Sequence, residues 1–346
     1  LPTGVAAFSG QQLDSTMKAA YYTRTGPPEV ITVGELPTPK PAPTQCLVKI
    51  GAADMNPIDT YIRAGLVPMP LSFPHVPGCS LAGTVVETGA QVSHFKPGDR
   101  VWATNLGVAG RPGTFAEFAA VDETLLYPTP ANVSDEEAAA LSLVGMTAHI
   151  GLFARARLRA GETLLVNGGA GGVGSAVLQM AKIVGARVIA TAGSDAKVAA
   201  CRELGADAVV NYKTQDVAAA VKAFAPEGLN VWWETSREPD FERAIPLLAL
   251  RGRMVIMAGR EARPVFPVGP FYTRDASVLG FVLFNATPEE HRAAAADMNR
   301  WMAERRLKAR IDRVLPLSEA ALAHRLQEES TVQRSGILAG KIVVKP

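Results

Sequence analysis

The chain has 346 residues, a length that implies about two domains, because a single hydrophobic core stops growing before that size. Lys and Arg number 35 against 33 Asp and Glu, and the resulting net charge of +2 leaves no excess of cations to track a nucleic-acid backbone or an anionic membrane. With 48% hydrophobic and 20% charged residues the chain has ample material for a core, which excludes a disordered segment or a fibre.

The three cysteines, Cys46, Cys79 and Cys201, are widely spaced and form no C-x-x-C pair. A reducing, cytoplasmic setting is therefore expected. The longest apolar run, residues 138–153, falls short of the roughly 20 residues a membrane-spanning helix needs and contains Gly145 and His149. Residues 1–16 have neither a basic nor an apolar signal region and are read as an extension ahead of the organised pattern, which begins at Met17.

Between Met17 and Tyr127 short β-rich runs, at 46–50, 82–87 and 100–103, alternate with Gly and Pro turns, which predicts an antiparallel, partly barrelled β domain. The Pro-dense stretches 37–43 and 68–77 cannot lie inside central strands and are read as surface loops. At Ser134 the texture changes: Ser134 followed three residues later by Glu137 is a capping box ahead of an apolar helical run. Strands at 163–167, 187–192 and 208–210 then alternate with helices at 172–184 and 195–204, the βαβαβ signature of a doubly wound parallel sheet. The pattern continues through 231–234, 241–250 and 254–258; from Pro288 two helical patterns precede a last strand at 341–344. The domains are accordingly read as 17–138, mostly β; 139–286, α/β; and 287–346, a return to the first domain.

The segment that carries chemistry is Leu164-Leu165-Val166-Asn167-Gly168-Gly169-Ala170-Gly171-Gly172-Val173-Gly174. A strand enters a glycine loop and a helix leaves it, so the backbone can approach a pyrophosphate whose charge is favoured by the helix N-terminus. In this context the loop reads as a dinucleotide site. An enzyme selecting NAD places Asp or Glu about 20 residues further on to bond the ribose 2′-OH. Here that place reads Thr191-Ala192-Gly193-Ser194, with Lys197 one turn beyond and Tyr212-Lys213 ending the next strand, so a 2′-phosphate would meet cations, a hydroxyl and an aromatic face. NADPH is the expected cofactor. Asp195 is the counter-signal, as a helix cap or a ribose contact.

With these residues in view the chain resembles the zinc-independent quinone oxidoreductases of the medium-chain dehydrogenase/reductase superfamily, the group that includes ζ-crystallin. The resemblance runs from Met17 to Val344 and rests on Asn56-Pro57-Ile58-Asp59-Thr60-Tyr61-Ile62-Arg63-Ala64-Gly65, on Pro77-Gly78 with Ala82-Gly83, and on Phe95-Lys96-Pro97-Gly98-Asp99-Arg100-Val101. Gly145-Met146-Thr147-Ala148, the glycine loop and Asn211-Tyr212 complete it. It implies a GroES-like, mostly β catalytic domain, discontinuous in sequence, around a Rossmann domain, with NADPH in the cleft and a small-molecule quinone or enone as acceptor. Ala170, Gly171, Gly172 and Val173 are implied at the pyrophosphate, and Gly193, Ser194, Lys197 and Tyr212 around the 2′-phosphate and ribose. Met257, Ala258, Gly259 and Arg260, with Phe281, Val282 and Leu283, are implied beside the nicotinamide half, and Thr147 beneath its ring.

Asn56 and Tyr61 are expected to face the reacting space and to donate hydrogen bonds to an oxygen that gains charge; alternatively they bond only the cofactor ribose or nearby backbone. The zinc-using branch has Cys at the place of Asn56 and His-Glu at that of Cys79-Ser80, with its third ligand near Leu143 and Val144. A catalytic zinc needs about three protein ligands, so no metal is expected. The resemblance also implies a homodimer, or a tetramer, formed through the apolar run 277–284. It leaves open a quinone reductase, an enone or alkenal C=C reductase, and a non-catalytic NADPH-binding protein.

Overall fold

The computed structural model describes residues 15–333 and 335–346; the extension read at 1–16 lies outside the described residues except for its last two positions, and Arg334 lies outside them as well. Thr16 is already paired, so the organised chain begins one residue before Met17: β1 (Thr16–Tyr21) and β2 (Thr32–Pro37) form an antiparallel ribbon. The hub of the larger sheet is the eleven-residue β3 (Gln45–Met55). One edge of β3 pairs with β4 (Leu81–Thr88), which is extended by β5 (Arg100–Ala103). Its other edge is shared, the first half taken by β6 (Phe118–Asp122) and the last by the C-terminal strand β15 (Lys341–Lys345). β7 (Leu126–Pro128) adds to β5, and β14 (Ile311–Pro316) adds to β15 in parallel, so the sheet is mixed where a purely antiparallel one was expected. β14 was not foreseen because Asp312, Arg313 and Pro316 break its apolar run; it is the sheet's half-exposed last strand, where polar residues and Pro are tolerated.

α1 (Pro57–Arg63) follows β3 directly, begun by Pro57 at its first position. α2 (Asp135–His149) starts at the Ser134–Glu137 capping box and continues as a wider turn through Ile150–Arg155, where the Ala156 N–H reaches back five residues to Gly151. The continuous helix of 21 residues is thus longer than the 16-residue run expected from sequence and passes the length and hydropathy of a membrane span, with mean hydropathy 1.4. Most of it is buried within the fold, so its apolar surface is already covered by protein.

The second sheet is parallel throughout: β8 (Thr163–Asn167), β9 (Arg187–Ala192), β10 (Ala208–Asn211), β11 (Leu229–Glu234), β12 (Leu248–Ile256) and β13 (Ser277–Gly280), in the spatial order β10-β9-β8-β11-β12-β13. That order reverses between β8 and β11, and a crevice opens there at the carboxyl ends of the strands. α3 (Gly172–Ile183), α4 (Asp195–Glu203) and α5 (Val217–Phe224) connect the strands. The 241–250 segment is only a short helix, α6 (Phe241–Ala244), because Pro246 cannot continue it, and β12 begins at Leu248, before the expected Met254. Trp232 and Trp233 are both fully buried, on opposite faces of β11 and in separate cores, as a pleated strand requires. After α7 (Val268–Tyr272), α8 (Pro288–Ala303) packs on α2 in the core shared with the parallel sheet. The chain then crosses to the first sheet with β14, α9 (Ala320–Thr331) and β15.

One ion pair ties this return to α1. Arg63, fully buried, bonds the Glu328 carboxylate of α9 and the Gly26 carbonyl, while Glu328 keeps 23% of its side chain exposed. Removing the carboxylate strands a buried guanidinium, whereas removing the arginine leaves a carboxylate that water can reach. We expect Glu328→Leu to cost about 3 kcal/mol and to lower the melting temperature more than Arg63→Leu; calorimetry giving the reverse order would contradict this role.

Candidate nucleotide and substrate cleft

β8 delivers the chain into Gly168, whose φ of +84° is the left-handed conformation that favours glycine. A Cβ on Gly174 would stand 2.1 Å from the Gly168 carbonyl oxygen, so the first turn of α3 packs directly on the loop. Gly171 caps α3 without a side chain, and the N–H groups of the first turn, among them those of Gly172 and Val173, face out of the helix. Ala170 is buried behind them. The backbone amides and the helix dipole converge at the crevice where the strand order reverses, an arrangement suited to a phosphate.

At the end of β9, Ser194 caps α4 by accepting from the Lys197 N–H. A Cβ on Gly193 would come within 2.3 Å of the Tyr212 hydroxyl, so the absence of a side chain there lets the phenol lie across the strand end. Tyr212 is 52% exposed, with ring surface available to a ligand. Asp195 is engaged elsewhere, accepting at 3.0 Å from the Asn211 amide. The half-buried Lys197 ammonium donates to the Gly336 carbonyl at 2.7 Å. Burial, and then the neighbouring Lys213, push its pKa down.

In the first lobe the two expected reacting-space residues part company. Asn56 is fully buried: its amide nitrogen donates to Asp54 at 2.9 Å, its carbonyl accepts from the Lys341 ammonium, and its backbone N–H is held at 2.8 Å by Asp59. It is a cap and bracing residue of α1, and the amide donor expected to face the acceptor is here turned toward Asp54. Lys341 is the residue that sequence reasoning missed. Its ammonium also donates to the Met55 carbonyl at 2.6 Å and lies 2.9 Å from the Asp54 carboxylate. Its stem runs past the nucleotide loop, 3.1 Å from where a Gly172 Cβ would be. The only sequence signal was a lysine at the start of an apolar strand, which is indistinguishable from an edge-strand lysine.

Burial pushes the Asp59 carboxyl up to about 7. Cys79 lies against it, and burial together with the Asp59 charge raises the thiol well above its usual range. No third His, Cys, Asp or Glu joins them in a metal-holding group among the described residues. Tyr61, by contrast, is half-buried and meets the other lobe, with the Arg237 guanidinium 5.5 Å from its ring centroid. Burial raises the phenol's pKa and Arg237 opposes the rise. Next to it in sequence, Ile62 forms an apolar cluster with Cys79 and Val108, against which Leu143 and Phe284 pack, residues drawn from both lobes.

The implied nicotinamide wall is only partly available. Thr147 donates its hydroxyl to the Leu143 carbonyl at 2.8 Å, so that group is used within α2. Met257, Ala258 and Gly259 are half-buried beyond β12, and Gly259 is in the left-handed region at φ +91° with the Arg237 carbonyl 2.9 Å from where its Cβ would be. Arg260, exposed, reaches across to bond the Leu66 carbonyl and so links the lobes. Phe281 is half-buried and packs edge-on against Trp233, Leu283 is buried, and Val282 is 47% exposed.

Residues 42–131 match the alcohol dehydrogenase GroES-like domain family and residues 172–300 the zinc-binding dehydrogenase family. The chain is 32% identical to a quinone oxidoreductase of Rattus norvegicus over 338 residues, covering 97% of this chain and 99% of that one. Among solved structures it is similar to an NAD-dependent alcohol dehydrogenase, with a TM-score of 0.86 and 33% identity over 95% of this chain and 100% of that one. It is also similar to a mycobacterial protein complexed with NADPH, with a TM-score of 0.82 and 29% identity over 95% of this chain and all of that one. Fold, glycine loop and full-length similarity agree: the chain belongs to the quinone oxidoreductase family of medium-chain dehydrogenases/reductases.

Proposed function

We propose that the protein is an NADPH-dependent quinone reductase that works without a metal. The observation that carries the choice of cofactor is the end of β9. The one carboxylate at that strand end, Asp195, is turned to Asn211 through one oxygen, and the Lys213 ammonium lies close enough to Lys197 to disfavour its charge. An anion between them relieves that repulsion, and the 2′-phosphate of NADPH is such an anion. The glycine loop supports the same fit through the Gly168 turn, the backbone-capped α3 and the Gly174 contact. The relative named for NAD-dependent alcohol dehydrogenase makes NADH the competing cofactor.

When bound, NADPH supplies the hydride. The chain's own residues then position the acceptor and manage charge. The apolar wall of Ile62, Val108, Leu143 and Phe284 suits a flat, electron-poor ring and excludes water. Tyr61, kept protonated by burial, is the donor that faces an oxygen gaining charge, and Arg237 beside its ring favours that charge. Asn56 acts indirectly by fixing α1, on which Tyr61 stands. What argues against a zinc centre is the chemistry of the residues at the expected ligand places: the Asn56 amide bonds Asp54 and Lys341, Cys79 faces Asp59, and Leu143 and Val144 offer no donor side chain. We further propose a homodimer through β13, the edge of the parallel sheet, beside which Val268 and Tyr272 are more than 60% exposed.

Four measurements test these readings. NADPH oxidation should be supported by ortho- and para-quinones in preference to enones and be unaffected by a chelator, and Tyr61→Phe should lower kcat by about tenfold or more with little change in NADPH affinity; an unchanged kcat would remove Tyr61 from the chemistry. Lys197→Ala should weaken NADPH binding by about tenfold while leaving NADH binding nearly unaltered; equal losses would argue against a 2′-phosphate site. Light scattering at micromolar concentration should give the dimer mass, and a monomer would overturn the β13 interface.

A further inference from the structure

The segment Trp232-Trp233-Glu234-Thr235-Ser236 contains a buried carboxylate that the proposed mechanism does not use. Glu234 ends β11 and Asn167, its register partner, ends β8; these are the two strands between which the sheet order reverses. One oxygen of Glu234 accepts from the Asn167 amide at 2.7 Å and from the Ser236 N–H at 2.7 Å, and the other accepts from the Trp232 indole at 3.1 Å. The Asn167 carbonyl oxygen accepts from the Thr191 hydroxyl at 2.6 Å, and the Thr191 hydroxyl oxygen accepts from the Gly168 N–H at 3.0 Å. Thr235 bonds the Asn167 backbone carbonyl at 2.5 Å, and its hydroxyl oxygen stands where a Gly168 Cβ would intrude.

A side-chain ladder therefore crosses β11, β8 and β9 under the glycine loop and ends on the first amide of that loop. All three partners of Glu234 are donors, so the arrangement has one consistent polarity from the carboxylate to Gly168. We propose that Glu234 is a positioning residue for the nucleotide loop, orienting Asn167 and, through Thr191, the Gly168 amide, so that the loop is already shaped when the dinucleotide arrives. Burial raises the pKa of its carboxyl, and the hydrogen bonds of Ser236, Asn167 and Trp232 oppose that rise, which is the mark of a group held by its donors and not by solvent.

The inference rests on the reading of the loop as the dinucleotide site, and the test separates the two. In Glu234→Gln the amide oxygen can keep the bonds from Asn167 and Ser236, and only the indole loses its acceptor. In Glu234→Leu every bond is lost. By equilibrium fluorescence titration, Glu234→Gln should bind NADPH within about twofold of the wild type and Glu234→Leu about tenfold more weakly. The KM for NADPH should rise in Glu234→Leu, with the acceptor KM and kcat little changed. Wild-type affinity in Glu234→Leu, or equal losses in both variants, would overturn the proposal. Should Glu234→Leu fail to fold, Thr191→Val removes the relay hydroxyl alone and should weaken NADPH severalfold; unchanged affinity there would overturn it as well. A wild-type protein that binds neither NADPH nor NADH would overturn the dinucleotide reading itself and this inference with it.

Discussion

The buried ammonium of Lys341 is the constraint on which the geometry of the cleft depends. It is the first residue of the last strand, yet it bonds Asp54, Met55 and Asn56 at the end of β3 and lies along the first turn of α3. Three segments far apart in sequence thus meet around one charge: the strand before α1, the helix after the glycine loop and the returning C-terminus. A buried ion pair contributes little net stability against an apolar replacement, since desolvation offsets the attraction. What it does impose is geometry, because a buried ammonium that donates two hydrogen bonds and pairs with a buried carboxylate tolerates few alternative placements. The position of α1, and with it Tyr61, follows from that placement.

Neighbouring ionisable groups fit the same logic. Asp54 faces Lys341, whereas burial, with the Asp54 charge beside it, pushes Asp59 up to about 7 against the opposing pull of Lys341 and of the Cys79 and Asn56 donors. Its folded pKa lies above the unfolded value, so its contribution to stability is fully present below about pH 4 and is lost as pH rises through about 7. Cys79 on the other side of that carboxyl is kept as a thiol by the same burial. The floor of the cleft is therefore built from groups whose charge is either matched or suppressed, while the exposed side carries Tyr61 and Arg237.

Local sequence made the parallel sheet legible because each of its units repeats a strand, a turn and a helix whose periodicity is visible over about ten residues. The positions of the glycine loop and of Gly193, Lys197 and Tyr212 at strand ends could be located for the same reason, because backbone clearance and charge there are local properties. The surroundings of Asn56 could not be read locally, because an amide beside a cleft and an amide locked under it look alike in sequence. Only the burial of both its ends by Asp54 and Lys341, residues two before and 285 after it, distinguishes them. β14 and Lys341 share this difficulty, since their environments are supplied by a chain that returns from the other lobe.

Arg260 and Arg237 illustrate how the two lobes communicate once those internal placements are fixed. Both come from loops at the carboxyl ends of parallel strands, and both end on the segment that closes α1, Arg260 on the Leu66 carbonyl and Arg237 on the Tyr61 ring. The Leu66 N–H in turn bonds the Tyr61 carbonyl at 2.9 Å, so the two contacts act on one short piece of backbone. These contacts are close to the surface, and Arg260 itself is exposed, so each is weaker and more readily exchanged than the Lys341 pair. The cleft is consequently braced at its floor and more readily rearranged at its mouth, a division under which the Tyr61 phenol keeps its bearing while the contacts around the opening exchange.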